Sequence, residues 1–188
     1  MYSKKIAGVI LLVGMAGVLF QCNKASDVEP DEENELITTV QLRFTETGTS
    51  NTQTFTYRDT DGDGGNPPST FDDIVLKPNA AYNLDVELLD ESKTPAEDIT
   101  EEVREEGDEH LLVFTPTPPA LLTYSYVDRD SRNLPIGING TVRTGAAGTG
   151  KLKVQLRHQP PVNGTIVKDG TPGPGSDDVN LDFDLIIR

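Results

Sequence analysis

The sequence predicts a mostly β fold, an antiparallel immunoglobulin-like sandwich of about eight or nine strands with one short acidic helix at about 95–106. Three observations lead there. Apolar and polar residues alternate with a period of two through most of the chain after residue 35. Clusters of Gly, Pro, Asn and Asp interrupt that alternation at short intervals. Only one stretch has helical spacing, and no strand–helix–strand series occurs, which argues against a nucleotide-binding architecture.

At the start of the chain, Lys4 and Lys5 precede an uninterrupted apolar run over residues 6–20. That run is too short for a good membrane-spanning helix and has the pattern of a signal peptide over residues 1–21. Cys22 follows it directly, as in a bacterial lipoprotein, where this cysteine becomes the lipid-modified first residue. Leu19 fits the usual recognition box, whereas Phe20 and Gln21 depart from its small residues. The alternative, an ordinary secretory signal, finds no Ala-x-Ala cleavage site. Cys22 is the only cysteine, so no internal disulfide can form. Residues 22–34 are polar and acidic with one proline and read as a flexible tether, leaving residues 35–188 as a single domain large enough to bury a core.

The formal net charge is −15, and it becomes −17 once Lys4 and Lys5 leave with the signal peptide. Such a surface repels nucleic acid and anionic lipid. Cations and basic proteins remain as partners.

The elements then follow in order. Val40, Leu42 and Phe44 alternate with polar residues, as do Phe55 and Tyr57, which predicts two strands joined by a turn over residues 48–51. The run 59–66 has Asp59, Asp61 and Asp63 at alternate positions with glycines, the opening of a calcium loop in which oxygens converge on a hard cation. The twelfth position of an EF-hand holds Thr70 instead of a bidentate acid, and no flanking helices are expected. A Gly/Asp-rich hairpin turn that needs no ion is the other reading.

Strands are expected over 73–76 and 82–88, the second with Tyr82, Leu84, Val86 and Leu88 inward. In the helix, Thr94 caps, Pro95 takes the first position, Glu97 closes a capping box and Gly107 stops it. Ile99 and Val103 form its narrow apolar stripe. Acids at both ends call for a positive group near the C-terminal turn, where the helix dipole is already negative; a solvated acidic face is the alternative. Strands are expected next over 110–114, 121–126 and 136–143, the last two separated by a polar turn at 128–133. Residues 145–150 read as a hairpin turn into a strand over 151–158. A Pro/Gly loop spans 160–177, and a cleanly alternating strand carrying Val179, Leu181, Phe183, Leu185 and Ile187 ends the chain.

No nucleophile motif or phosphate-binding lysine motif is present, and carboxylate pairs are too numerous here to single out a glycosidase. The expectation is therefore a protein that is not an enzyme. His110 follows Asp108 and Glu109 at a strand start, and His158 ends a strand on its apolar face. If these strands are neighbours, His110, His158, Asp108 and Glu109 supply a first shell for zinc or another divalent transition metal. Otherwise each histidine hydrogen-bonds a strand end or loop.

The lipoprotein start together with TYRDTDGDGG, DITEEVREEGDEH and RTGAAGTGKLKVQLRHQP resembles a group of small Bacteroidota outer-membrane lipoproteins. Some of these carry the label "type 1 periplasmic binding fold", a two-lobed α/β architecture that the strand pattern here does not follow. The acidic tract beside Cys22 resembles the surface-export signal of such lipoproteins, with a tether on the periplasmic face as the alternative. The resemblance implies lipid anchoring in the outer membrane, at the cell surface, beside a TonB-dependent transporter. The expected function is an accessory binding module for a cation or that transporter. A structural or adhesive surface domain with no small-molecule ligand, with or without calcium to stiffen it, is the alternative.

Overall fold

The computed structural model describes residues 36–62 and 65–188. The signal peptide over 1–21, Cys22, the tether and Asp63 lie outside the described residues. Among the described residues, no helix is long and apolar enough to cross a membrane.

The alternating segments become eleven strands: β1 (Thr39–Glu46), β2 (Thr52–Arg58), β3 (Thr70–Phe71), β4 (Ile74–Leu76), β5 (Ala81–Asp90), β6 (Glu97–Asp98), β7 (His110–Thr117), β8 (Leu122–Tyr126), β9 (Asn139–Thr144), β10 (Gly148–His158) and β11 (Ser176–Ile187). Among the described residues one α-helix, α1 (Ile99–Glu105), lies between β6 and β7. One sheet runs β3-β2-β1-β5-β9-β8, with β6 also beside β5; the second runs β4-β11-β10-β7. All strand pairings are antiparallel except β4 with β11, which is parallel.

The inward residues of the two sheets form one core. Leu42 and Phe44 of β1 and Leu84 and Leu88 of β5 share it with Leu152 and Val154 of β10 and Phe183 and Leu185 of β11. Phe71 meets Phe183 edge-on at 4.9 Å between ring centres, and Phe114 meets Tyr124 at 4.2 Å, so aromatic pairs bridge the layers near both edges. Fully buried core side chains such as Leu42 and Phe183 each contribute about 1.5–3 kcal/mol. This is a β-sandwich, with two faces packed together and outward charge on both.

Two local expectations are corrected. The glycine-rich run 145–150 is not a hairpin, because β9 pairs with β5 and β8 whereas β10 pairs with β7 and β11. The chain crosses there from one sheet to the other. Its glycines serve close packing: a Cβ on Gly145 would overlap the Ala120 carbonyl, and one on Gly150 the Thr117 carbonyl.

The helix is shorter than 95–106, and Asp98 caps it instead of Thr94, accepting from the Thr100 amide at 3.0 Å. The physical reason is β6: Glu97 and Asp98 first pair with Asp90 and Leu89 of β5, so residues 97–98 are extended before helix begins. Ile99 and Val103 are buried as the spacing implies. Positive groups near the helix end are Arg104, in its last turn, and Lys168, whose ammonium donates to the Gly107 carbonyl at 2.6 Å.

Candidate metal centre

Strands β7 and β10 run antiparallel with His110 directly opposite His158. Both side chains point inward, since His110 continues the face of Leu112 and Phe114, and His158 that of Leu156 and Val154. The rings are stacked, 4.8 Å between centres and 9° from parallel. The two histidines are 1% and 2% exposed, so both rings are almost wholly shielded from solvent.

The third member comes from β11. Leu156 pairs with Val179 but Arg157 pairs with Asp177, so Asp178 is the additional residue of a β-bulge. The bulge divides two consecutive acids. Asp177 turns to Arg157 and Gln155, while the Asp178 carboxylate is buried with Oδ2 3.9 Å from His110 Nε2. One ligand atom from each of His110, His158 and Asp178 lies within 4.8 Å of the others.

The protonation of His110 follows from its contacts. Its Nδ1 lies 3.2 Å from the Glu106 carbonyl, and a carbonyl only accepts, so Nδ1 carries the hydrogen and Nε2 presents a lone pair. Burial pushes the His110 pKa down to about 4, with His158 and Lys168 adding to the effect and the Glu106 carbonyl opposing it. The imidazole is therefore neutral at pH 7, the form that ligates metals. His110 Nε2 and His158 Nδ1 are buried and have no hydrogen-bond partner among the described residues. Leaving two such atoms unsatisfied costs about 1–3 kcal/mol each.

A polar network fastens the surrounding loops. Lys168 donates to Gly107 and, at 3.0 Å, to Asp130, and both charged side chains are fully buried. Burial holds the Lys168 pKa below its usual value despite the pull of Asp130. For Asp130 burial acts upward, but hydrogen bonds from the Leu134 amide and Lys168 win and keep its carboxyl below the usual range. Arg132 donates to the main-chain carbonyls of Lys168 and Asp108 at 3.0 and 2.7 Å, and Gln159 to those of Thr171 and Pro174. The loop before β11 is thus fixed against the α1–β7 junction.

The structure brings His110 and His158 together but replaces the acids expected beside them. Asp108 is partly exposed and accepts from the Ser131 hydroxyl and amide. Glu109 uses its main chain, accepting from the Gln159 amide and donating to the Glu106 carbonyl. Neither belongs to the group of three. Simple alternation in β11 would place Asp177 inward with Val179 and Leu181 and send Asp178 out, and nothing in the sequence marks the bulge that reverses this.

The calcium-type run forms the connection between β2 and β3, which pair with each other as a hairpin. Asp61 accepts from the amide and the side chain of Asn66 at 3.0 and 2.7 Å, bonds that hold its pKa below the usual value. Asp59 is buried; its Oδ2 accepts from the Tyr57 hydroxyl at 3.4 Å, and its Oδ1 has no hydrogen-bond partner among the described residues. A groove of about 400 Å³ lies alongside, lined in part by Tyr57, Asp59, Gly62, Asp177 and Asn180.

Compared with known proteins, the chain matches no protein family, no curated protein and no solved structure.

Proposed function

We propose that this chain is a non-enzymatic outer-membrane lipoprotein, held at the cell surface through lipid on Cys22, whose immunoglobulin-like domain is an accessory module binding a divalent cation beside a transporter. The observation that supports cation binding is the buried meeting of His110, His158 and Asp178, with two ring nitrogens that have no hydrogen-bond partner among the described residues. The anchor rests on the signal-type run ending at Cys22 and the acidic residues after it. The transporter rests on the resemblance to Bacteroidota lipoproteins.

Two measurements test it. Protein purified without chelator is expected to carry close to one transition-metal ion per chain by elemental analysis, and metal-free protein to rebind zinc in calorimetry. Absence of both would contradict the cation reading. Labelled fatty acid is expected in the wild-type chain and not in Cys22→Ala; label in neither would contradict the anchor.

A second reading, a structural or adhesive surface domain stiffened by calcium through Asp59, Asp61 and Asp63, has one observation in its favour, the buried Asp59 Oδ1. It predicts a calcium-specific rise in melting temperature that Asp61→Asn removes. Asp61 already accepts twice from Asn66, so the turn holds its shape by internal bonds.

A further inference from the structure

We infer that His110 Nε2, His158 Nδ1 and the Asp178 carboxylate are the three protein ligands of a zinc-type transition-metal dication, which clamps together β7, β10 and the bulge of β11. The inference rests on the cation reading above and assigns its chemistry.

The donor set selects the class of ion. Calcium and magnesium take oxygen ligands, calcium six to eight of them. Two imidazole nitrogens and one carboxylate suit a four-coordinate ion of intermediate softness, with the fourth position left to water or a small anion. The Glu106 carbonyl completes the arrangement, because its bond to His110 Nδ1 fixes the tautomer that leaves Nε2 for the ion. Asp178 supplies the negative charge beside the two rings. The register break that places it inward falls between the partners of Leu156 and Arg157, next to His158.

The present spacing also states what loading must do. Tetrahedral bonds of about 2.0–2.2 Å place ligand atoms about 3.3–3.6 Å apart, whereas here His110 Nε2 and Asp178 Oδ2 are 3.9 Å apart and the three ligand atoms reach 4.8 Å. The widest of these separations therefore contracts by about 1.2–1.5 Å. A lone pair lies in the plane of its ring, and two nearly parallel rings cannot both aim at one ion. At least one ring therefore turns and the stack opens. Glu106 holds His110, so His158, whose Nδ1 makes no hydrogen bond among the described residues, is the ring that turns.

The test uses the full chain in detergent, with cobalt(II) as a visible probe and zinc as competitor. Expected are one cobalt site with four-coordinate ligand-field bands, displacement by zinc but not by excess calcium, and a shift of both histidine ring signals in the zinc-loaded protein. Asp178→Asn is expected to weaken cobalt by more than the roughly 10–100-fold that loss of an outer partner costs, and His158→Ala to abolish the bands. Asp178→Glu, which keeps a carboxylate, restores binding and separates ligation from misfolding. Cobalt bound with unchanged affinity and bands in Asp178→Asn would overturn this ligand set while leaving the cation reading intact. Displacement by calcium would overturn the class of ion. No binding of cobalt, zinc or calcium by the wild-type chain would overturn the underlying reading as well.

Discussion

At His110, burial has stripped away the water that would stabilise a charged ring, and the pKa falls from the ordinary 6.5 to about 4. The unfolded chain therefore binds a proton that the folded chain refuses between these values. The stability associated with the neutral ring is present in full above pH 6.5 and is lost as pH falls toward 4, an amount on the order of 3 kcal/mol. Denaturant unfolding of the metal-free protein is expected to show this loss between pH 7 and 4.5, and His110→Gln to show a much smaller slope. An equal slope in both proteins would place the titration elsewhere. The inward direction of His158 was legible from alternation, since it shares a face with Leu152, Val154 and Leu156, whereas β7 is apolar on both faces and gives His110 no direction. Asp178 was not, because a bulge is set by how two strands register in three dimensions, and the residues of β11 look the same with or without it.

Among the elements, α1 shows how a neighbouring strand moves a helix boundary. Thr94, Pro95 and Glu97 have the residue types of a helix start, but pairing of Glu97 and Asp98 with β5 takes precedence, and Asp98 becomes the cap. Asp98→Ala is expected to lower stability by about 1 kcal/mol, the usual effect of losing a cap, whereas Thr94→Ala stays within a few tenths. Chemical denaturation of the two variants measures this, and the reverse order would restore Thr94 as the cap. Strand positions were readable because inward Val40, Leu42 and Phe44, or Val179 to Ile187, repeat every second residue. Which sheet each strand joins was not readable. Residues 145–150 carry turn glycines, yet those glycines admit close approach of the segment between β7 and β8 as the chain changes sheets.

For the whole molecule, the inner faces of both sheets supply one apolar core. Thr144 is buried beside Lys77 and Ala80, while His110, His158 and Lys168 are buried elsewhere, around the α1–β7 junction. The Lys168–Asp130 pair there joins the loop before β11 to the α1–β7 junction and to the segment between β8 and β9. Lys168→Met leaves Asp130 charged and buried, and is expected to cost about 3–5 kcal/mol, whereas replacing both partners by apolar residues recovers much of that. Equilibrium unfolding of the single and double variants decides it; equal loss in both would mean the ion pair is not what fastens the loop. Composition and periodicity were enough for the sandwich because it needs only alternation and turns. The metal-type cluster needs three strands in register, which no single stretch of sequence encodes.

The central claim, a cation bound at His110, His158 and Asp178, is tested most directly by thermal melting of the full chain with chelator and then with zinc added back. A site present only in the folded state raises the melting temperature as it fills, by about 5–10 °C at a hundredfold excess over the dissociation constant for a domain of this size. The account predicts that rise for zinc, its absence for calcium at this site, and its loss in His110→Ala. An unchanged melting temperature with every divalent ion would contradict it and leave a structural or protein-binding surface domain.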